Sequence, residues 1–188
     1  MSFKKVMCAA LATVLVGAFA ASASASDKKM SINLGHVAIE TTPLGRGTEY
    51  FAQIVNEKTN GRITVSVFPN SQLGGNREMI EQLQMGTLQF CSPSNAFLGG
   101  FTGKTALFDL PYLFTSEEGA FKVFDSEVGT AILNDLEGAG IKGLGWFAMG
   151  WRNVTCNKEV HTPADMAGLK IRVMENQMHI DHFNQLGC

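Results

Sequence analysis

The sequence is poor in the residues and motifs on which most enzymes depend. Its 188 residues include only two tryptophans, two tyrosines and four histidines, and charged residues make up 17% of the chain. It has no phosphate-binding loop of the form G-x-x-x-x-G-K-[ST] and no G-x-S-x-G turn that would present a nucleophilic serine. These absences argue against P-loop nucleotide hydrolases and α/β-hydrolases.

Charge and hydrophobic runs argue against two further kinds of partner. Lysine and arginine number 15 against 17 acidic residues, a formal net charge of −2, and no basic face of the kind that nucleic acid requires is visible. After the N-terminal region, no apolar run reaches the roughly 20 residues of a membrane-spanning helix. We therefore expect a soluble protein that is not embedded in a membrane and does not bind nucleic acid.

The N-terminal residues have the pattern of an export signal. Lys4 and Lys5 supply a positive start, residues 6–20 form an apolar stretch, and Ala23-Ser24-Ala25 matches a cleavage site. The apolar stretch is shorter than a membrane span, although an uncleaved anchor remains the alternative. We expect residues 1–25 to be a signal peptide, and the mature chain to begin at the next residue in an oxidising compartment.

Cysteines are few and widely spaced. Cys8 lies within the apolar stretch of the signal, and Cys91, Cys156 and Cys188 are far apart, without a C-x-x-C pair. This spacing argues against zinc-binding and thioredoxin-like sites. A Cys91–Cys156 disulfide stays open as an alternative to a free, buried Cys91, which the apolar run around that residue favours.

Strand-like and helix-like patterns alternate along the rest of the chain, which predicts an α/β fold with a parallel or mixed sheet. The predicted strands cover residues 31–37, 63–67, 88–92, 141–148 and 169–173. The predicted helices begin at Pro43, Asn76, Thr115, Thr162 and Met178. We expect the third helix to be long and to start with the capping box Thr115-x-x-Glu118, and residues 99–113 to be irregular.

Polar side chains follow the first and third predicted strands. His36 lies near the end of the first strand, and Ser94 and Asn95 follow the third. Ligands of open α/β sheets bind beyond the carboxyl ends of the strands, so these three residues are candidates for ligand binding. Core packing of His36 and turn formation by Ser94 and Asn95 are the alternative interpretations.

Two of the five arginines are placed where they could hold an anion. Arg152 follows a strand-like run, and Arg172 lies near the end of a predicted strand whose apolar residues point to the other side. A guanidinium group binds a carboxylate through two parallel hydrogen bonds and stays charged at any relevant pH. Both are therefore candidate ligand-binding residues, with an ordinary surface charge as the alternative for each.

Two further motifs carry little weight. Gly138-x-Gly140-x-x-Gly143 has the spelling of a dinucleotide-binding loop, but it follows a predicted helix and precedes a predicted strand, which reverses the required order. We interpret it as a helix end and a turn. His179 and His182 share a helix face but lack the further ligands of a zinc site, so we expect no metal.

Three segments resemble the DctP-type solute-binding proteins of TRAP transporters. They are SQLGGNREMIEQLQMG (residues 71–86), FDLPYLF (108–114) and GWRNVTCNKEVHTPADMAGLKIRV (150–173). The resemblance covers essentially all of the mature chain, and three motifs in the correct order and spacing are much more specific than any one of them.

The resemblance implies a periplasmic protein whose two α/β lobes close over a small organic acid. Such a protein delivers the acid to a membrane permease of two subunits that is driven by a sodium gradient. By resemblance, Arg172 binds the ligand carboxylate, Arg152 is a second contact, and His36, Val37 and residues 94–97 form the share of the cleft that belongs to the first lobe.

The chain departs from the family pattern in two respects. Met174 and Glu175 stand where many members have proline and asparagine, so Glu175 is a candidate ligand-binding residue and ligand specificity does not transfer from the better-known members. The chain is also much shorter than family members. We therefore expect residues 26–148 to form most of the first lobe, and residues 149–188 to begin a second lobe that is incomplete.

The expected function is that of a periplasmic solute-binding protein without catalytic residues, metal or cofactor. An exported hydrolase of small acids and a ligand-sensing module that reports to a receptor are the alternatives. A hydrolase would need a nucleophile–base pair or a metal cluster, and we find neither in the sequence.

Overall fold

The fold alternates strands and helices around a small parallel sheet. The computed structural model describes residues 28–188, so the predicted signal peptide lies outside the described residues. The strands are β1 (Met30–His36), β2 (Ile63–Phe68) and β3 (Phe90–Ser92). The α-helices are α1 (Pro43–Lys58), α2 (Asn76–Gln84), α3 (Asn95–Leu98), α4 (Glu117–Phe124), α5 (Glu127–Asp135) and α6 (Gln177–Gln185). Short 3-10 helices cover Gly103–Asp109, Leu136–Ala139 and Pro163–Met166.

The sheet has the strand order β2-β1-β3, and both pairs are parallel. Leu34 of β1 pairs with Val67 on one side and with Phe90 on the other. α1 connects β1 to β2, and α2 connects β2 to β3, as parallel pairing requires a crossover. The predicted α/β class with a parallel sheet is confirmed.

One hydrophobic cluster joins the sheet to α1. Ile32, Leu34 and Val65 are buried in it, and Phe51 and Val55 of α1 pack against them. The helix begins where the sequence predicts, because Thr42 accepts a hydrogen bond from the Gly45 amide through its hydroxyl and Pro43 occupies the first turn. Burial of these apolar side chains packs one face of the sheet against α1.

A second hydrophobic cluster holds the later part of the chain against α2. Its buried members are Ile80, Leu98, Leu136 and Ile141. Gly140, at φ +76°, ends the 3-10 helix Leu136–Ala139 in the left-handed conformation, so the interpretation of the glycine motif as a helix end and turn is confirmed. The chain then continues without regular secondary structure to residues 150–152.

The predicted long helix after Thr115 is in fact two helices. α4 ends at Phe124 and α5 begins at Glu127, and a Cβ added at Gly129 would overlap the Phe124 carbonyl. The apolar periodicity continues through the break, which is why one helix was predicted. The capping side chain is Ser116, which accepts from the Gly119 amide at 3.1 Å, and not Thr115.

Residues 103–109 form a 3-10 helix, although irregular structure was predicted for residues 99–113. By contrast, the helix start predicted at Thr162 is confirmed, since Thr162 and Asp165 form a capping box for a short 3-10 helix. The helix predicted from Met178 is also confirmed, as α6.

Residues 141–148 and 169–173 have no regular secondary structure, which corrects the prediction of two strands. A strand requires hydrogen bonds to a neighbour, and neither segment pairs with another strand within residues 28–188. The predicted alternation is nevertheless visible, because Lys170 and Arg172 are exposed while Leu169, Ile171 and Val173 are partly buried. The alternation in the sequence therefore predicted which side chains of residues 169–173 are exposed, but it did not predict whether the segment pairs with a strand.

Cys91, Cys156 and Cys188 are free thiols, so the Cys91–Cys156 disulfide is not formed. Burial raises the pKa of the Cys91 thiol to about 12, which keeps it protonated and unreactive. In the part of the chain that the structure describes, no helix combines the length and the apolar character needed to cross a bilayer.

Candidate functional site

Ser94 and Arg152, which lie far apart in the sequence, meet beyond the carboxyl end of β3. The Arg152 Nη2 group donates to the Ser94 Oγ atom at 3.2 Å. The backbone amide of Ser94 is itself fixed by the side chain of Asn76, whose Oδ1 atom accepts from it at 3.0 Å. The sheet edge therefore carries an anchored hydroxyl group and an exposed guanidinium group side by side.

Asn95 lies next to Ser94, but its amide is used inside the protein. Its Nδ2 atom donates to the Thr105 carbonyl at 2.9 Å and to the Asp109 Oδ2 atom at 3.1 Å. Its Oδ1 atom is buried and has no hydrogen-bond partner in the described residues. Asn95 thus supports the 3-10 helix Gly103–Asp109 and leaves one acceptor free.

Asn176 reaches the same place from the other end of the chain. Its Nδ2 atom donates to the Ala96 carbonyl at 2.9 Å and to the Asp109 Oδ2 atom at 3.0 Å. Its Oδ1 atom caps α6 by accepting from the Met178 amide at 2.9 Å. One buried side chain therefore fixes the start of α6 against α3.

Asp109 is the group that these contacts share. Its carboxylate accepts from Asn95 and Asn176, and its Oδ1 atom lies 3.7 Å from the His179 Nε2 atom. Burial raises its pKa, while the bond from Asn95 and the charges of His179 and Arg152 act in the opposite direction. We call Asp109, Asn95, Asn176, His179 and Arg152 the Asp109 cluster.

His179 lies against this carboxylate on the first turn of α6. Its side chain is 14% exposed, and burial lowers its pKa more than the neighbouring Asp109 raises it. His182, one turn later, packs edge-on against the Tyr112 ring with the centroids 6.1 Å apart. Within residues 28–188, no group of three or more His, Cys, Asp and Glu side chains is gathered to hold a metal ion.

His36 ends β1 as expected, but its ring is fully buried. The Thr48 hydroxyl lies 3.1 Å from the Nε2 atom and 2.8 Å from the Gly45 carbonyl. Burial lowers the pKa of His36, while the charge of Glu49 and the Ala38 backbone act in the opposite direction.

Arg172 and Glu175 are both exposed. Neither side chain forms a hydrogen bond or an ion pair with another residue in the described part of the chain. Both lie just before Asn176 in the sequence. The structure therefore brings Ser94, Asn95 and Arg152 together, leaves Arg172 and Glu175 on the adjoining surface, and holds His36 inside.

Three residues of the site were missed by sequence reasoning, namely Asp109, Asn176 and His179. Asp109 lies in the segment FDLPYLF, which has no local pattern that indicates a binding role. Asn176 had a usable signal, because asparagine before an apolar helical segment is a common N-cap. No local pattern indicated that the side chains of Asp109 and Asn176 would be in contact.

Comparisons with known proteins match this chain to one protein family. The model of the family described as bacterial extracellular solute-binding protein, family 7 (DctP) matches residues 34–188. The chain belongs to this family. The match covers most of the residues that the structure describes, including every member of the Asp109 cluster.

Relatives within the DctP family have similar sequences and folds. The C4-dicarboxylate-binding periplasmic protein DctP of Rhodobacter capsulatus is 36% identical over 93% of this chain and 54% of its own length. A TRAP periplasmic solute-binding protein of Sulfurospirillum deleyianum, solved with bound succinate, is 34% identical with a TM-score of 0.81 over 85% of this chain and 52% of that one. A protein of the same kind from Polaromonas, solved with D-erythronate, is 36% identical with a TM-score of 0.81 over 85% and 53%.

The chain spans about half the length of the relatives it matches. The DctP-type resemblance and the α/β class with a parallel sheet are thus confirmed. The division into lobes and the roles of individual side chains remain predictions.

Proposed function

We propose that this chain captures a small organic acid in the periplasm and presents it to the membrane permease of a TRAP transporter, without catalysing a reaction. Export by a signal peptide over residues 1–25 is part of the proposal. So is the division into a first lobe (residues 26–148) and the beginning of a second lobe (149–188).

The observation that carries the proposal is the contact between Arg152 and Ser94. It places a guanidinium group at the carboxyl end of a parallel sheet, where open α/β folds bind their ligands. Arg152 uses one of its donors on Ser94 and is otherwise exposed. The remaining donors can hold a carboxylate, and Ser94 can donate its own hydroxyl proton to the same ligand.

Arg172 provides the second positive group in this proposal. Its guanidinium is exposed and unpaired within residues 28–188, so it is available to a carboxylate in the paired geometry. Glu175, exposed beside it, would accept a hydrogen bond from a ligand hydroxyl group. His36 and Asn95 support the site from inside, because the His36 Nε2 atom and the Asn95 Nδ2 group are already hydrogen-bonded in the core.

The free energy of micromolar binding is larger than hydrogen bonds from two arginines can supply once the cost of binding is included. Micromolar affinity corresponds to about 8 kcal/mol, whereas a hydrogen bond to a charged group contributes roughly 1.5–3 kcal/mol. Part of that gain is offset by the loss of ligand translation and rotation on binding. A second surface that closes over the ligand would supply the remainder, as hinge closure does in two-lobed binding proteins.

The relatives indicate the chemical class of the ligand. One is named for C4-dicarboxylates, and the two solved structures hold succinate and D-erythronate. These ligands share a carboxylate and differ in the rest of the molecule. We therefore propose a small aliphatic acid, with the carboxylate held by Arg172 and Arg152.

An exported hydrolase is less well supported by the geometry. The pair that most resembles a nucleophile with its base is Thr48 with His36, and both side chains are buried away from any substrate. Arg152 and Ser94 offer binding groups without a base beside the hydroxyl.

Titration of the 188-residue chain tests the proposal. The chain would be expressed in a Gram-negative host, recovered from the periplasm and sequenced from its N-terminus, where we expect cleavage after Ala25. Amide NMR shifts would then be followed with succinate, with D-erythronate, and with succinamide as the uncharged control. We expect saturable shifts around residues 94 and 152 with the acids only.

Two results would count against the proposal. One is a chain that shifts equally with succinate and succinamide, because carboxylate recognition would then be absent. The other is turnover of either acid, measured by following its own signals over hours in the same samples.

A further inference from the structure

A buried carboxylate lies at the contact between the end of β3 and the last helix of the described chain. The side chain of Asp109 is 8% exposed. Its Oδ2 atom accepts hydrogen bonds from both Asn95 and Asn176, so this oxygen carries no proton. A buried carboxylate is costly unless it is paired and hydrogen-bonded, and here two amides and a nearby guanidinium group offset the cost.

Asn176 leaves no polar atom of its side chain unused. Its two Nδ2 protons go to the Ala96 carbonyl and the Asp109 carboxylate, while its Oδ1 atom caps α6. The residue is 9% exposed. A shift of α6 away from α3 and the 3-10 helix Gly103–Asp109 would therefore break two hydrogen bonds, one to each of these elements.

Arg172 lies four residues before Asn176, and Arg152 is held on Ser94 beside the same carboxylate. Arg172 is thus connected to the anchored start of α6 through the chain, and Arg152 is held by its hydrogen bond to Ser94. Neither Asp109 nor Asn176 offers a free donor to a ligand, so their effect on a ligand would pass through the arginines.

We propose that Asp109 is a positioning residue that holds the segment 172–180 on the carboxyl end of β3, through its hydrogen bonds to Asn95 and Asn176. The relevance of this position to ligand capture rests on the proposed function above. The anchoring itself is a property of the chain without ligand, and it can be measured without one.

Hydrogen–deuterium exchange of the 188-residue chain tests the anchoring. Asp109→Ala removes both acceptor bonds, so that Asn95 and Asn176 each lose one of the two acceptors of their Nδ2 group. We expect exchange across residues 172–180, including the Met178 amide, to become about tenfold faster or more. Exchange in β1 and β2 should stay unchanged, since these strands have no contact with the carboxylate.

Two further variants separate anchoring from a general loss of stability. Asp109→Asn keeps an oxygen that can accept from both amides, so we expect a change of less than about threefold in segment 172–180. Asp181→Ala is the matched control, because Asp181 is exposed on the same helix and pairs only with Gln177 of that helix. It should resemble the parent chain.

Asn176→Asp keeps the test decisive if Asp109→Ala does not fold. Aspartate still caps α6 through its oxygen, but it has no donor for the Ala96 carbonyl and it places a second carboxylate against Asp109. We expect faster exchange in segment 172–180 with α6 still helical.

The proposal is overturned if exchange in segment 172–180 does not change in Asp109→Ala and Asn176→Asp. It is also overturned if exchange in β1 rises as much as exchange in that segment. A parallel titration with succinate decides the separate question of function. Loosening of the segment without any succinate binding by the parent chain would support the anchoring and contradict the proposed function.

Discussion

At the scale of single residues, Arg152 and Arg172 carry the same group in different settings. Arg152 is held by Ser94 and lies close to the Asp109 carboxylate. Arg172 is exposed and has no partner within residues 28–188. A ligand carboxylate therefore competes with an existing partner at Arg152 but meets a free guanidinium at Arg172.

Replacement of Arg172 by lysine should weaken carboxylate binding by about tenfold, equivalent to about 1.4 kcal/mol. Lysine keeps the charge but cannot form the two parallel hydrogen bonds of a guanidinium group. The dissociation constant for succinate, measured by NMR titration, checks this. Lys170→Arg is the control, because Lys170 is an exposed neighbour on the same segment. An unchanged constant in Arg172→Lys would remove that residue from the site.

His36 makes folding stability depend on pH. Burial depresses its pKa in the folded state, whereas in the unfolded chain the ring titrates near pH 6.5. As the pH falls below about 7, the unfolded state binds a proton that the folded state does not, so stability decreases. His179 acts in the same direction.

We therefore expect His36→Gln to make the free energy of unfolding less dependent on pH between about 7 and 5. The slope that is lost cannot exceed about 1.4 kcal/mol per pH unit, the limit for one proton. Urea unfolding at several pH values measures it, with His161→Gln as the control, since the His161 side chain is exposed. A slope equal to that of the parent chain would show that His36 is not responsible.

Sequence patterns predicted which residues lie at the site better than they predicted what each side chain contacts. Ser94 and Arg152 were expected as ligand contacts, and they do meet. Asn95 was expected to face the ligand, yet its amide points inward because Asp109 and the Thr105 carbonyl accept from it. That distinction depends on residues that come close only after folding, so no local pattern contains it.

At the scale of elements, the βαβ part of the fold follows directly from the sequence. Apolar alternation in β1 and β2, and the Pro43 start of α1, are local signals that agree with the tertiary structure. The division between helices α4 and α5 was harder to predict, because the apolar stripe is continuous across the break. Ser126 caps the second of these helices by accepting from the Val128 amide, and Gly129 lets its first turn approach the Phe124 carbonyl, where a Cβ would clash.

The first turn of α4 offers a direct test of its cap. Ser116→Ala should destabilise the chain by about 1 kcal/mol, because the Gly119 amide loses its acceptor. Thr115→Ala is the matched control and should have almost no effect, although the sequence pattern predicts Thr115 as the cap. Denaturant midpoints of the two variants check this, and the opposite order would restore the predicted capping box.

At the scale of the whole molecule, a band of exposed apolar side chains follows the second hydrophobic cluster. Leu144 is 69% exposed and Met149 61%, and Phe147 and Trp151 are more than half exposed. Surfaces of this kind in a folded protein are commonly covered by another element or partner. Residues 144–151, which carry these side chains, do not pair with any strand within residues 28–188.

We expect this chain alone to bind succinate at least about tenfold more weakly than a chimera in which it is continued by the remaining half of the Rhodobacter capsulatus relative. The added half would cover the apolar band and give Arg172 a closed site, so that less affinity is lost to ordering on binding. Calorimetry on both proteins measures the difference. Equal affinities would mean that the described residues form a sufficient site and that the two-lobe proposal is wrong.

The position of β1 in the sheet also governs when the protein can fold. β1 is the first strand to be synthesised, yet it is the middle strand, and both of its neighbours follow it in the chain beyond an intervening helix. Parallel pairing over such separations closes long loops and is intrinsically slow. The proposed export would gain time from this order, because the central strand stays unpaired until the residues of β2 and β3 have been made.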